Sequence, residues 1–154
     1  VVEITGDCPV IDPSLIEQSI RTFQKNQCEY VSNSGEEFGY PNGMDTQVFR
    51  LETLKKSFAM TNDPLDREHV TRHIRLHPEL FRLVYMVAPP ELHWPELGLT
   101  LDDPRDYKLL KSMIEYFNPA NPYFSCEDSI HLLREIHPEW VSINQEVRRK
   151  GLSE

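Results

Sequence analysis

Asp7 and Asp102 stand in matching contexts: each follows an apolar run and precedes a proline, in TGDCP and LTLDDP. If those runs are strands of an open α/β sheet, both carboxylates lie beyond strand carboxyl ends, where such folds gather ligands. Two converging carboxylates suit Mg²⁺, which takes oxygen ligands, keeps several waters and completes its shell with substrate phosphates. Gly6, next to Asp7, has no side chain to keep a ligand from the backbone. The same residues also read as plain turn chemistry, since Asp and Pro start turns. Spacing alone leaves both readings open.

Two further clusters carry chemistry. In YPNGMD, Tyr40, Asn42 and Asp45 place an aromatic ring, an amide and a carboxylate on one loop, which suits a hydroxylated ligand; Asn42-Gly43 equally reads as a hairpin turn. In REHVTRH, Arg67, Glu68 and His69 fall in the first turn expected for a helix over REHVTRHIRL capped by Asp66, near free N–H groups that favour anions. His69, His73 and His77 recur every fourth residue and could share a zinc-binding face, although Pro78 biases His77 out of the helix. Arg72, His73 and Arg75 read as a solvated helix face. No Walker-type phosphate loop, G-x-S-x-G or H-E-x-x-H is found. Cys8, Cys28 and Cys126 have no short spacing and read as reduced packing residues. The carboxylate beside Cys8 argues against an activated thiolate.

The elements that must position these residues alternate. VVEIT, CEYVSN, TQVFRL, FRLVYMVA and GLTLD read as strands. Asp12-Pro13 opens a helix striped by Leu15, Ile16, Ile20 and Phe23. Asp103-Pro104 opens another, with Tyr107, Leu110, Ile114 and Phe117 on its buried side. Ser125 and Asp128 form a capping box for EDSIHLLREIH, and a last helix is expected over WVSINQEVRRKG. The pattern predicts an α/β fold with a mostly parallel central sheet and flanking helices. The chain is read as one domain, 1–154, with a helical C-terminal extension over about 118–154. It starts without Met inside an apparent strand, so an N-terminal part is expected to be missing.

A net charge of −9 over 154 residues argues against nonspecific binding to nucleic acid or an anionic membrane. No run reaches the length of a membrane span. Reduced thiols fit a cytoplasmic protein.

TGDCPVIDP, YVSN, YPNGMDTQVF, REHVT and LTLDDPRDY, in this order, resemble the spore-coat polysaccharide cytidylyltransferase-like family, itself similar to the 3-deoxy-manno-octulosonate cytidylyltransferases. The resemblance extends through FSCEDSIHLL and INQEVRRKG. It implies a Rossmann-like nucleotide-diphospho-sugar transferase fold, of which this chain is the C-terminal portion. It also implies magnesium held by Asp7 and Asp102, and attack of a sugar or sugar-acid hydroxyl on the α-phosphorus of CTP. Gly6, Tyr40, Asn42, Asp45, Arg67, Glu68 and His69 would then face substrate, and a homodimer is expected. The family's Arg- and Lys-bearing phosphate loop has no counterpart here. Gly98 stands where the family often carries Arg, and Arg72 and His73 stand where Pro and an aromatic are expected. A non-catalytic sugar-binding or dimerisation module of the same fold is the rival reading.

Overall fold

The computed structural model describes residues 1–147. Four short strands form one sheet: β1 (Val2–Glu3), β2 (Tyr30–Ser32), β3 (Gln47–Phe49) and β4 (Leu83–Tyr85), in the order β1-β3-β2-β4. β3 runs antiparallel to both β1 and β2, whereas β4 lies parallel to β2. The sheet is therefore mixed rather than mostly parallel. β1, β2 and β4 point one way, and β3 is inserted against them. GLTLD forms no strand: Gly98 makes an isolated bridge to Asn42.

The helices are α1 (Pro13–Lys25), α2 (Leu51–Met60), α3 (Pro64–Glu68), α4 (Arg72–Leu76), α5 (Pro104–Phe117) and α6 (Cys126–His131). A π-helical stretch, Leu132–Ile136, and a 3₁₀ turn, Pro138–Ile143, follow α6. Arg148 to Gly151 of the expected last helix lie outside the described residues. Local chemistry sets the helix starts. Asp12 accepts from the Ser14 N–H with Pro13 in the first turn, and capping boxes open α5 at Asp103 and α6 at Ser125. Asp63, not Asp66, caps α3, and REHVTRHIRL breaks into the end of α3 and the separate α4.

Two apolar clusters sandwich the sheet. Val31, Val48, Met44, Leu99, Leu109, Met113 and Leu133 belong to the larger one, with Trp94 and Trp140 packed at its margin. Tyr30, Phe49, Ile74 and Phe81 form the smaller one, under α4. The buried side of α5 is Asp106, Leu109, Leu110 and Met113, while Tyr107 and Ile114 face outward. Asp106 lies inside because it closes the capping box and accepts from Asn144 Nδ2 at 2.8 Å.

Candidate functional site

Because β1, β2 and β4 run in one direction, their carboxyl ends and the start of β3 share one edge of the sheet. Asp7 follows β1 there, Ser34 follows β2, Asp45 precedes β3 and Tyr85 ends β4. The backbone N–H of Leu101 donates to the Asp7 carbonyl at 2.8 Å, which brings the segment leading to Asp102 against Asp7. The Asp102 N–H is directed to Asp106 Oδ2 at 3.2 Å. Asp7 is half-buried and Asp102 exposed, so both carboxylates are open to a ligand. A Cβ built at Gly6 would meet nothing within 4 Å, so packing alone does not demand glycine there.

The YPNGMD loop is not a hairpin. It docks on the segment leading to Asp102: the Asn42 N–H donates to the Leu97 carbonyl at 2.9 Å, and the Leu99 N–H to the Asn42 carbonyl at 2.7 Å. Gly43 has φ +99°, and a Cβ there would lie 2.6 Å from the Leu99 carbonyl carbon. The Gly43 N–H donates to Asp45 Oδ2 at 3.0 Å. Burial raises the Asp45 carboxyl above the ordinary aspartate range, opposed by that N–H, Ser34 and Arg75, and reinforced by the negative charge of Asp7. Asp7, Asn42 and Asp45 thus belong to one neighbourhood.

Other expected site residues lie elsewhere. Tyr40 is buried in the larger cluster, with its hydroxyl 3.5 Å from the Val87 carbonyl. Arg67 lies 3.4 Å over the Phe58 ring and donates to the carbonyls of Phe58 and Thr61 at 3.0 and 2.6 Å, tying α3 to α2. Since α3 starts at Pro64, Arg67, Glu68 and His69 occupy its C-terminal end and have no N-terminal amide cluster to share with an anion. Arg72 pairs with the buried Asp66 at 2.6 Å. His73 and His77 stack at 4.3 Å, and among the described residues no group of three His, Cys, Asp or Glu side chains is placed to hold a metal. The zinc reading has no geometric support.

Cys8 is buried, 3.2 Å from Thr5 Oγ1, and its thiol points at Asp7 Oδ1 at 3.7 Å. Burial, with Asp45 and Asp7 nearby, pushes it up to about 12, so it is a packing thiol rather than a nucleophile. Arg75, read from sequence as a solvated residue, instead has its Nε buried with no hydrogen-bond partner.

The pair Asp7 and Asp102 fits magnesium in its donor chemistry. Two open carboxylates on neighbouring segments, one following β1 and one preceding α5, can supply part of an oxygen shell whose remainder comes from water and substrate phosphate. Cysteine- or histidine-binding metals would find too few ligands there.

A mixed α/β sheet with carboxylates gathered at its carboxyl edge is a layout that binds ligands at that edge. The chain belongs to the cytidylyltransferase family, whose model matches residues 1–126. It is 30% identical over 154 residues to an uncharacterized protein of Methanocaldococcus jannaschii, covering 100% of this chain and 60% of that one. It is 29% identical over 136 residues to the spore coat polysaccharide biosynthesis protein SpsF of Bacillus subtilis, covering 86% of this chain and 54% of SpsF. A solved cytidylyltransferase from Leptospira borgpetersenii superposes with a TM-score of 0.79 at 30% identity, over 97% of this chain and 60% of that chain. The chain thus spans under two-thirds of the length of each of these relatives. No helix among the described residues is long and apolar enough to cross a membrane.

Proposed function

We propose that this chain carries the acceptor-side and metal-binding part of a CTP-dependent cytidylyltransferase that activates a sugar or sugar acid for polysaccharide or surface-glycan synthesis. In the reaction, the acceptor hydroxyl oxygen bonds to the α-phosphorus of CTP, the bond from that phosphorus to the bridging oxygen breaks, and pyrophosphate leaves. The hydroxyl proton passes to solvent. Asp7 and Asp102 would hold magnesium, which when bound neutralises phosphate charge. The observation that supports this reading is the Leu101–Asp7 backbone hydrogen bond, which brings the segment carrying Asp102 against Asp7, beyond the carboxyl end of β1, in a cytidylyltransferase-family domain.

The chain's own residues do the positioning. The Asn42–Gly43 loop braces the Asp102 segment, and Asp45 lies within electrostatic reach of Asp7. Pyrophosphate release from CTP is measured in the full-length protein with a panel of sugars and sugar acids, with and without Mg²⁺. Magnesium-dependent release is expected with at least one acceptor, and its loss by about a thousandfold in Asp7→Asn, the order found when a preorganised charge is removed. Normal turnover by that variant would remove the metal role. A folded, sugar-binding wild type that never releases pyrophosphate would favour a non-catalytic module.

A further inference from the structure

At the edge of the sheet where β2 and β4 begin and β3 ends, opposite the edge of Asp7, the strands bring charged residues together. Tyr30 pairs with Phe49 on one side and with Leu83 on the other. The next row outward is therefore Glu29, Arg50 and Arg82, and the Glu29 N–H donates to the Arg82 carbonyl at 2.8 Å. Alternation turns these side chains to the face opposite Tyr30, Phe49 and Leu83. The Arg50 guanidinium accordingly lies 5.7 Å from the centre of the Phe23 ring of α1.

The end of α1, this row and the start of α2 border an open cleft of about 520 Å³, a size that suits a small molecule. Lys25, Arg50, Lys56 and Arg82 line it, together with Glu29 and Glu52. Four cations against two carboxylates leave a local positive excess in a chain whose net charge is −9. Lys25 and Arg50 are exposed and, among the described residues, make no ion pair or side-chain hydrogen bond. Arg82 Nε is 3.9 Å from Glu29 Oε2, and that oxygen already accepts from the Arg82 N–H at 3.1 Å. Lys56 is held over the Phe81 ring, its Nζ donating to the Leu80 carbonyl at 2.8 Å. Its ammonium has two further protons to give. Thr53 is 3% exposed and borders the cleft, and its hydroxyl has no hydrogen-bond partner among the described residues. No side chain caps α2 at Arg50, so the first N–H groups of this ten-residue helix have no intrahelical partner and no side-chain acceptor there.

We propose that this cleft binds a small phosphorylated molecule through its multiply charged phosphate group, held by Arg50 and Arg82 against the start of α2. A guanidinium presents paired donors that match phosphate oxygens. The Thr53 hydroxyl and the uncapped helix start add donors, and the helix end favours negative charge. The positive excess of the lining is answered by a dianion or a diphosphate, whereas a monoanion leaves part of it unmatched. Binding here needs no metal, because the lining is itself cationic. At Asp7 and Asp102 the opposite holds: two carboxylates repel a phosphate unless a cation stands between them. The cleft is thus a second anion site, and it does not depend on the transferase reading.

The ¹⁵N-labelled full-length protein is titrated with inorganic pyrophosphate in EDTA at constant ionic strength, with acetate as the monoanion control. The backbone amides of Glu52 and Thr53 should shift saturably with pyrophosphate, while those of Asp7 and Asp102 stay in place. Acetate should move neither pair. Arg50→Gln should weaken pyrophosphate by about tenfold or more, as expected for a lost hydrogen bond between charged groups, and Arg82→Gln by about threefold. Asp7→Asn should bind pyrophosphate like wild type. Both arginines are exposed, and thermal melts verify that the variants fold. The proposal is overturned if pyrophosphate leaves the Glu52 and Thr53 amides unmoved, if acetate moves them as far, or if folded Arg50→Gln and Arg82→Gln both bind like wild type. Loss of metal-free binding in Asp7→Asn alone would put the anion at the carboxylate edge and remove this site.

Discussion

The side chain of Asp12 joins the start of α1 to the start of α6 at Cys126, 114 residues further along the chain. Its Oδ1 accepts from the Ser14 N–H at 2.7 Å and so caps α1, while its Oδ2 accepts from the Cys126 N–H at 2.9 Å and so holds the start of α6. The C-terminal helices are thereby pinned to the turn that carries Asp7. Asp12→Ala removes a cap worth about 1 kcal/mol and leaves a buried N–H unsatisfied at a cost of about 1–3 kcal/mol. Urea unfolding should show a total loss of about 2–4 kcal/mol. Asp12→Asn, with one acceptor oxygen instead of two, should fall between that variant and wild type.

Asp66 supplies a pH-dependent part of the stability. The Thr61 hydroxyl, then the Arg72 guanidinium, hold its carboxyl below the ordinary aspartate range. A depressed folded pKa means that the folded state gives up the proton more readily than the unfolded chain. The stabilisation is therefore complete above the unfolded value of about 4 and is lost as pH falls through the lower folded value. Asp66→Asn should cost about 2 kcal/mol at neutral pH, moderated by Asp63, which also lies 3.6 Å from Arg72. Denaturation of both proteins across the acid range should show the gap closing below about pH 4. A gap that stays constant with pH would mean that Asp66 acts through packing alone.

What could be read from sequence was what local chemistry decides. The Asp12-Pro13, Asp103-Pro104 and Ser125–Asp128 signals mark real helix starts because the caps act within one turn. The strand-end position of Asp7 was legible for the same reason. Long-range pairing was not. Nothing local in TQVFRL requires β3 to run against its neighbours, and nothing in GLTLD reveals that its backbone is taken by the Asn42 loop instead of a sheet. The outward turn of Tyr107 escaped the apolar periodicity because Asp106 is drawn inward by Asn144, 38 residues away. Arg67, expected to face substrate, lies against Phe58 and Thr61, and Arg75, expected to be solvated, has a buried Nε. A charged side chain's role depends on which aromatic ring or carbonyl lies within reach, and that is settled by tertiary packing. The polar row across the sheet was legible in the alternation in VVE, YVS, QVF and LVY, which puts Glu3, Ser32, Gln47 and Tyr85 out of phase with the valines.

Gly43 and Gly6 separate fold from ligand. At Gly43 the backbone has φ +99°, and a new Cβ would lie 2.6, 2.7 and 2.9 Å from the Leu99 carbonyl carbon, the Leu99 oxygen and the Thr100 nitrogen. All three are backbone atoms and cannot swing aside. Gly43→Ala should therefore cost about 3 kcal/mol or more from dihedral strain and overlap. It should also push the Leu99–Asp102 segment away from Asp7, lengthening the Leu101–Asp7 hydrogen bond. Gly6→Ala meets nothing within 4 Å and should leave the melting temperature nearly unchanged. If the backbone beside Asp7 receives a ligand closely, Gly6→Ala should nonetheless lower pyrophosphate release, because its methyl group occupies the approach. Melting temperature and release rate measured on both variants give opposite patterns: stability and activity fall together at Gly43, and activity falls alone at Gly6. A Gly6→Ala protein with full activity would show that Gly6 serves only the turn between β1 and α1.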